Sequence, residues 1–332
     1  MRSFIWIILG SSSSLRNKTN YLGMKFYIAA FFILYFSTNC FSNKIDNEKI
    51  VAQYEDTLKA IAPAIISGIS DSARKSANTR VIQLMEQVLQ YGESFTYPFD
   101  SLKTIAHLAS PDKRFRIYNW ILPKMDGTYT YYGYIQQYDK KKKKVIVTVL
   151  KDLSDKTEKP EKAILTPDKW YGALYYKILL NKFLGKRYYT LLGWKGYDRK
   201  STKKVIDVVI FNNTKPKFGY AMFKLKKETK SRIIFQYSSQ AVMSLRYEDK
   251  DKAIVNDHLS PSSDNLKGQY EFYGPDLTYD ALKFKRGKWL LTELFLAENN
   301  QDPDYKKPRK QPIHAIPIGT KKNVFFHQIK KE

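Results

Sequence analysis

The sequence predicts an α+β protein with an N-terminal helical region, followed by a larger antiparallel β-meander domain with one inserted helix. Apolar residues recur at three- and four-residue spacing before about residue 110 and at two-residue spacing after it. These periods are typical of helices and of strands, respectively. Aromatic residues make up 15% of the chain, which favours strands because flat rings suit a pleated surface. We therefore expect the β domain to be a curved sheet, a barrel or a sandwich.

The chain is strongly basic. It carries 57 Lys and Arg residues against 32 Asp and Glu residues, a formal net charge of +25 over 332 residues. Such a charge bears on partners rather than on fold. It suits nucleic acid, anionic lipid or acidic glycan, although lysines spread over a solvated surface explain it equally well. The sequence contains no nucleic-acid-binding module, so specific nucleic-acid binding is not expected. The lysine run at 140–144 lies in a predicted hairpin turn, where charge keeps a strand end soluble.

Residues 1–42 are predicted to be an upstream extension followed by a signal peptide. Lys25 follows Met24, and residues 26–36 form an unbroken apolar run of the length typical of a signal peptide. A membrane span needs roughly 20 apolar residues, so this run is too short to span comfortably. We interpret Met24 as the true start, with Met1 as the alternative. The protein is predicted to be exported and to be periplasmic or secreted.

The end of this signal leaves alternatives open. Cys40 and Ser42 are small residues at the positions expected for cleavage after Ser42. The alternatives are an outer-membrane lipoprotein with lipid on Cys40 and an uncleaved anchor. Membrane contact is expected only through the signal or such a lipid. Cys40 is the single cysteine, so a chain cleaved after Ser42 would hold no disulfide.

Residues 43–110 are predicted to be the helical region. Pro63 interrupts the first helix, and Ser70 is placed to cap a second helix that stops before Gly92. The apolar stripe of the first helix contains Ile50, Tyr54, Leu58, Ile61 and Ile65, and that of the second contains Val81, Leu84, Met85, Val88 and Leu89.

Residues 111–298 are predicted to be the β-rich domain, and residues 299–332 a basic tail rich in Pro and Lys. Thr166, Pro167 and Asp168 have the pattern of a helix start, namely a cap residue, Pro at the first position and an acid in the first turn. We therefore expect the inserted helix here. Its apolar face would contain Trp170, Leu174, Ile178 and Leu179.

A hairpin pattern repeats within the β-rich domain. Each of the two close copies has a Gly–aromatic pair, then Tyr-Asp, a lysine-rich turn and Lys-Lys-Val-Ile. Two close copies span residues 133–150 and 193–211, and looser copies begin at Leu245 and Tyr279. Such repetition indicates either a hairpin reused in a meander or the blades of a small propeller. We favour the meander.

Asp257 and His258 are candidate binding residues. Together with Ser260 they supply the groups of an acyl-transfer site. Neighbours on a strand point to opposite faces, and the chain contains no Gly-x-Ser-x-Gly motif. A strand that runs into a turn therefore explains the same residues without any chemistry.

Tyr270, Tyr273 and Trp289 are candidate rings for binding a glycan or a peptide, although sheet packing explains such aromatics equally well. No metal is predicted, because the four His residues have no Cys or acidic partners at ligand spacing. No cofactor is predicted either, because no Gly-rich phosphate loop is present.

Four segments carry a family resemblance: PFDSLKTIAHLASPDKRFRIYNW, YSSQAVMSLRYE, NDHLSPS and LKGQYEFYGPDLTYDALKFKRGKW. They resemble a family of exported proteins from Bacteroidota-type bacteria. The resemblance covers most of the chain between residues 97 and 289. It implies an exported location and a shape. It implies no chemistry, because no activity is assigned to that family.

These observations favour a non-enzymatic envelope or secreted protein that binds an anionic or glycan surface through Lys and aromatic side chains. The alternative is a hydrolase that acts on a cell-envelope polymer, so whether the protein is an enzyme stays open. A hydrolase would need a cleft with converging carboxylates, or His258 with a shifted pKa. A purely structural role is the third hypothesis.

Overall fold

A computed structural model describes residues 46–139 and 141–292. The predicted signal peptide and the predicted basic tail lie outside these described residues. No helix within the described ranges is long and apolar enough to cross a membrane.

The α+β prediction is confirmed, since a short helical part precedes mostly antiparallel sheets, one of them curled into a half-barrel. Helix α1 occupies residues 46–61, α2 is Ala64–Ser67 and α3 is Asp71–Val88. Pro63 stands at the N-cap of α2, where its fixed φ suits a helix start. The predicted interruption of the first helix is therefore confirmed.

The second predicted helix is confirmed together with its cap. The Ser70 hydroxyl oxygen accepts a hydrogen bond from the Ala73 N–H at 3.2 Å, which satisfies one of the free donors of the first turn. Short 3₁₀ turns occur at Gly92–Phe95, Ser154–Lys156, Pro167–Lys169, Asp264–Leu266 and Tyr270–Phe272.

Fifteen strands follow the helices in the described part of the chain. In chain order they are Ala106–Ala109 (β1), Phe115–Pro123 (β2), Tyr129–Asp139 (β3), Lys144–Lys151 (β4), Leu174–Phe183 (β5), Lys186–Gly196 (β6), Ser201–Asn212 (β7), Lys215–Phe218 (β8), Phe223–Lys224 (β9), Thr229–Lys230 (β10), Ile233–Ser238 (β11), Leu245–Glu248 (β12), Ala253–Pro261 (β13), Tyr273–Lys285 (β14) and Lys288–Thr292 (β15).

The strands form three sheets. The first has the order β1-β2-β3-β4, the second the order β11-β7-β6-β5 with β8 beside β7, and the third the order β10-β9-β15-β14-β13-β12. The pairs between these strands are antiparallel except for β15 with β9. Both close copies of the sequence repeat are hairpins, β3–β4 and β6–β7, and the looser copies are β12–β13 and β14–β15. The repeat is therefore a reused hairpin in a meander and not a propeller blade.

The inserted helix predicted after Thr166 is wrong. Pro167–Lys169 is a single 3₁₀ turn, and Leu174–Phe183 is strand β5. In a short apolar run, the spacing of the apolar residues does not distinguish a helix from a strand. Pairing between strands decides here, because β5 forms a hairpin with β6 from Leu174↔Trp194 to Phe183↔Lys186.

Buried residues form successive layers. The apolar stripe of α3 packs with Trp120 and Tyr134 of the first sheet, and all five predicted residues of that stripe are buried. The other face of the first sheet packs on the second sheet through residues such as Phe115 and Tyr189. A third core joins the second and third sheets, with Trp289 among its members. The helical region thus packs directly on the first sheet and shares a core with it.

Candidate functional site: a basic groove at one end of the sheets

Several hairpin turns lie at the same end of the molecule. In the first sheet, Phe115 pairs with Gln137, so the β1–β2 turn and the β3–β4 turn share one end. In the second sheet, Tyr189 pairs with Val209, which brings the β5–β6 and β7–β8 turns together in the same way. Arg187 Nε lies 3.3 Å from Asp112 Oδ2, and this ion pair joins the turns of the two sheets. We call this region the hairpin end.

A groove with a volume of about 1120 Å³ opens at the hairpin end. Its basic lining residues come from three of these turns and are exposed: Lys113, Arg114, Lys141, Lys186 and Arg187. Its aromatic lining residues are Phe95, Phe115, Tyr138, Tyr188, Tyr189, Phe211 and Tyr220. The groove thus combines a cationic rim with flat apolar walls.

The two carboxylates that line the groove are bonded within the protein. Asp112 Oδ2 accepts a hydrogen bond from the Tyr189 hydroxyl at 2.9 Å, in addition to its ion pair with Arg187. Burial and the Asp112 carboxylate together raise the pKa of Tyr189 to about 12. Asp139 Oδ1 accepts hydrogen bonds from the backbone N–H groups of Lys141 and Lys142 at 2.9 and 3.2 Å. Asp112 thus offsets Arg187, whereas Asp139 keeps its negative charge in the lysine-rich turn, and the five cations exceed the two carboxylates by three charges.

The three lysines that line the groove have no ion-paired acid in the part of the chain that the structure describes. Lys113, Lys141 and Lys186 form no ion pair with any residue in the described ranges. Because they are exposed on separate turns, their charges act together on whatever enters the groove.

Aromatic pairs build the walls of the groove. The rings of Phe95 and Tyr138 are stacked with centroids 6.1 Å apart and an interplanar angle of 29°. The rings of Tyr188 and Tyr220 lie 5.0 Å apart. Tyr138 is 37% exposed, so it presents a flat surface on which a ring-shaped ligand can lie. Such a mixture of aromatic walls with a few polar groups is typical of binding sites.

The structure does not assemble Asp257 and His258 into a catalytic pair. His258 lies at a β-bulge in β13, and its Nδ1 is 2.8 Å from Asp280 Oδ2. The Asp257 carboxylate instead accepts a hydrogen bond from the Ser244 N–H at 2.8 Å. The imidazole Nε2 faces another carboxylate, with Asp276 Oδ2 at 3.9 Å. These contacts explain the polar cluster as local support of a bulged strand.

The predicted aromatic residues lie in two different environments. Tyr270 is 44% exposed, and its ring lies 5.2 Å from that of Tyr273. Trp289 is fully buried, and its Nε1 donates a hydrogen bond to Thr190 Oγ1 at 3.0 Å. Trp289 therefore belongs to the core and cannot present its ring to a ligand, which corrects that part of the prediction.

None of the five predicted binding residues lines the groove. Tyr273 begins β14, and the other end of that strand leads into the β14–β15 turn. Gly287 in this turn lies beside Phe183 at the end of β5, so Tyr273 lies about 40 Å along the strand from the hairpin end. The signal that could have found the groove is the lysine-rich turn at 140–144. The sequence does not show which other turns lie beside this turn in space, so the turn alone could not predict a groove.

Comparisons with protein-family models, curated proteins and solved structures found no match. Within the described ranges, no group of three or more His, Cys, Asp and Glu side chains is placed to hold a metal ion.

Proposed function

We propose that this protein is a non-enzymatic binding protein of the cell envelope or the secreted fraction, and that it holds an acidic glycan in the groove at the hairpin end. The observation that carries the proposal is the charge arrangement of the groove. Five cationic side chains line it against two carboxylates, and of these cations only Arg187 has an ion pair within the described residues. The exported location rests on the signal peptide that the sequence predicts.

The size and walls of the groove favour a polymer segment over a small anion. Pockets for drug-sized ligands have volumes of about 300–1,000 Å³, and this groove, at about 1120 Å³, is larger. The exposed ring of Tyr138 and its stacked partner Phe95 suit the apolar face of a sugar ring. Cations alone would serve any polyanion, whereas these rings add a preference for glycans.

A binding role agrees better with the site than hydrolysis does. A hydrolase of an envelope polymer needs a carboxylate or imidazole directed at the bond to be broken. Asp112 and Asp139 are held by internal hydrogen bonds, and His258 lies in β13, away from the groove.

The test is binding of the full chain to polygalacturonate, measured by calorimetry over a range of salt concentrations. We expect the triple variant Lys113→Gln/Lys141→Gln/Lys186→Gln to bind roughly tenfold or more weakly and to show a shallower salt dependence, because fewer counterions are released. The control variant Lys59→Gln/Lys75→Gln/Lys103→Gln removes the same charge from exposed positions outside the groove. Equal losses in the two triple variants would contradict the proposal.

A second variant separates glycan binding from general polyanion binding. Tyr138→Ala removes the exposed ring and leaves every charge in place. We expect it to weaken binding of polygalacturonate and to leave binding of inorganic polyphosphate unchanged. An equal effect on both ligands would show that the ring does not recognise sugar.

A further inference from the structure

A leucine is exposed at the tip of the β5–β6 hairpin. Leu184 follows Phe183, the last residue of β5, and is 83% exposed. Its φ of 47° lies in the left-handed region, where a branched apolar residue is uncommon and Asn or Gly is preferred. Neither local backbone geometry nor packing explains a leucine at this position.

Cations surround this leucine. Lys182, Lys186 and Arg187 are exposed in the same hairpin. The β14–β15 turn packs against the hairpin, because a Cβ on Gly287 would lie 2.6 Å from Phe183 Cδ1.

The neighbouring turn adds three further exposed cations: Lys285, Arg286 and Lys288. Asp112 lies against this hairpin and is ion-paired with Arg187. In the third sheet, Asp249 and Asp251 lie in the β12–β13 turn beside Lys250 and Lys252. We call residues 182–187 and 285–288 the leucine tip.

An exposed apolar side chain in a cationic hairpin, with a second cationic turn packed against it, matches the surface of an anionic bilayer. The cations reach the headgroups, and the leucine enters the acyl boundary below them. A soluble glycan would satisfy the cations and leave Leu184 in water. We propose that the leucine tip binds a membrane surface containing anionic phospholipid and inserts Leu184 into it. This goes beyond glycan binding, because it assigns a second ligand and gives a role to Leu184 and the β14–β15 turn, which do not line the groove, while Lys186 and Arg187 belong to both regions.

A second exposed leucine provides a matched comparison. Leu277 is 91% exposed and has a φ of 70°. It lies in β14, eight residues before Lys285 and thus about 26 Å from it along the strand. Its neighbour Asp276 is acidic. Exposure and backbone conformation are therefore alike at the two leucines, whereas the chain neighbour of Leu277 is an acid and the hairpin of Leu184 carries exposed cations.

The experiment places an environment-sensitive fluorophore at each leucine in turn. The full chain carries Cys40→Ser, and the label is attached through Leu184→Cys in one protein and Leu277→Cys in the other. Each protein is mixed with vesicles of phosphatidylethanolamine and phosphatidylglycerol, or of phosphatidylcholine alone. We expect a blue shift only for the label at position 184, and only with phosphatidylglycerol present.

Two outcomes would overturn the proposal. One is an equal response of the two labels, or no response at position 184. The other is an equal shift at position 184 with dextran sulfate, which would show that the tip binds soluble polyanion rather than a bilayer.

Partitioning of unlabelled protein gives an independent measurement. Leu184→Asn suits the left-handed backbone and removes the apolar side chain. It should weaken binding to phosphatidylglycerol vesicles roughly tenfold, since burial of a leucine is lost, whereas Leu277→Asn should have no effect. Polygalacturonate binding should be unchanged in both variants, so failure of this proposal and failure of the groove proposal are distinguishable. Equal vesicle binding by the two Asn variants would contradict insertion of Leu184.

Discussion

Arg232 Nε lies 2.8 Å from Asp207 Oδ2, and both side chains are fully buried. The Nε–H is not aligned for a hydrogen bond, so the contact is ionic. The Tyr175 hydroxyl donates to the same carboxylate oxygen at 3.2 Å, and the Val208 N–H donates to the other at 2.8 Å. The guanidinium also lies over the Tyr171 ring. A charge pair inside a sheet is tolerated here because each partner neutralises the other.

Removal of one partner should destabilise the fold strongly. We expect Arg232→Met to lower the free energy of unfolding by about 3–5 kcal/mol, because Asp207 would be left as an uncompensated buried charge. The double variant Arg232→Met/Asp207→Leu should lose less than the single variant. Urea unfolding of the three proteins checks this. A double variant no more stable than Arg232→Met would show that the pair is not coupled.

Lys195 is a second buried charge, on β6. Its Nζ donates hydrogen bonds to Ser154 Oγ and to the Gly172 carbonyl, both at 2.8 Å, and lies 4.2 Å from the centroid of the Tyr131 ring. Burial lowers the pKa of Lys195 from 10.5 to about 8, although Asp152 opposes this shift. Lys203, on β7, also has its pKa lowered to about 8 by burial.

This lowered pKa predicts a pH dependence of stability. Between about pH 8 and pH 9 these two lysines bind fewer protons in the folded chain than in the unfolded chain, so they raise the free energy of unfolding as the pH rises. Above about pH 9 buried tyrosines such as Tyr189 and Tyr237 oppose this rise, because their raised pKa values let them keep their protons longer in the folded chain. One such lysine contributes at most about 1.4 kcal/mol per pH unit. We expect Lys195→Met to remove roughly half of the rise, since Lys203 remains. Urea unfolding at several pH values measures it.

The control for this prediction is Lys177→Met, which removes an exposed lysine from β5. It should leave the pH dependence of the wild-type protein unchanged. If Lys195→Met behaved in the same way as Lys177→Met, the buried ammonium would not be the source of the slope.

Gly219 should not tolerate a side chain. Its φ is +90°, and a Cβ there would lie 2.5 Å from the Ala163 carbonyl oxygen. Because backbone atoms move little, we expect Gly219→Ala to lower the free energy of unfolding by about 1–3 kcal/mol. Gly92→Ala is the matched control, since a Cβ at Gly92 would meet nothing within 4 Å. Thermal unfolding compares the two, and similar losses would contradict this explanation.

The cap of α3 gives a prediction that rests on the sequence and the structure together. Ser70→Ala removes the acceptor for the Ala73 N–H and should cost about 1 kcal/mol of stability. Ser72→Ala changes an exposed serine inside the first turn and should cost little, because alanine is the better helix former. Equal effects in chemical denaturation would show that the hydroxyl at Ser70 does not act as a cap.

Local signals determined the helices and hairpins. The break at Pro63, the cap at Ser70 and the buried stripe of α3 depend on residues a few positions apart, so spacing alone was sufficient to predict them. The repeated hairpins followed from two-residue alternation and turn composition in the same way. The inserted helix was wrong because residues 166–168 have a cap-like pattern and a short apolar run fits either period, whereas β5 is defined by its hairpin with β6.

The sequence by itself determined the basic charge, the α+β class and the meander. Tertiary structure alone decided which charges act together. Asp112 and Tyr189 are 77 residues apart in the chain, yet their hydrogen bond joins two sheets at the hairpin end. The burial of Trp289 in a core between sheets, like the pairing of Asp207 with Arg232, depends on such long-range contacts. The physical reason is that spacing fixes the face on which a side chain lies, whereas only the packing of sheets fixes what that face meets.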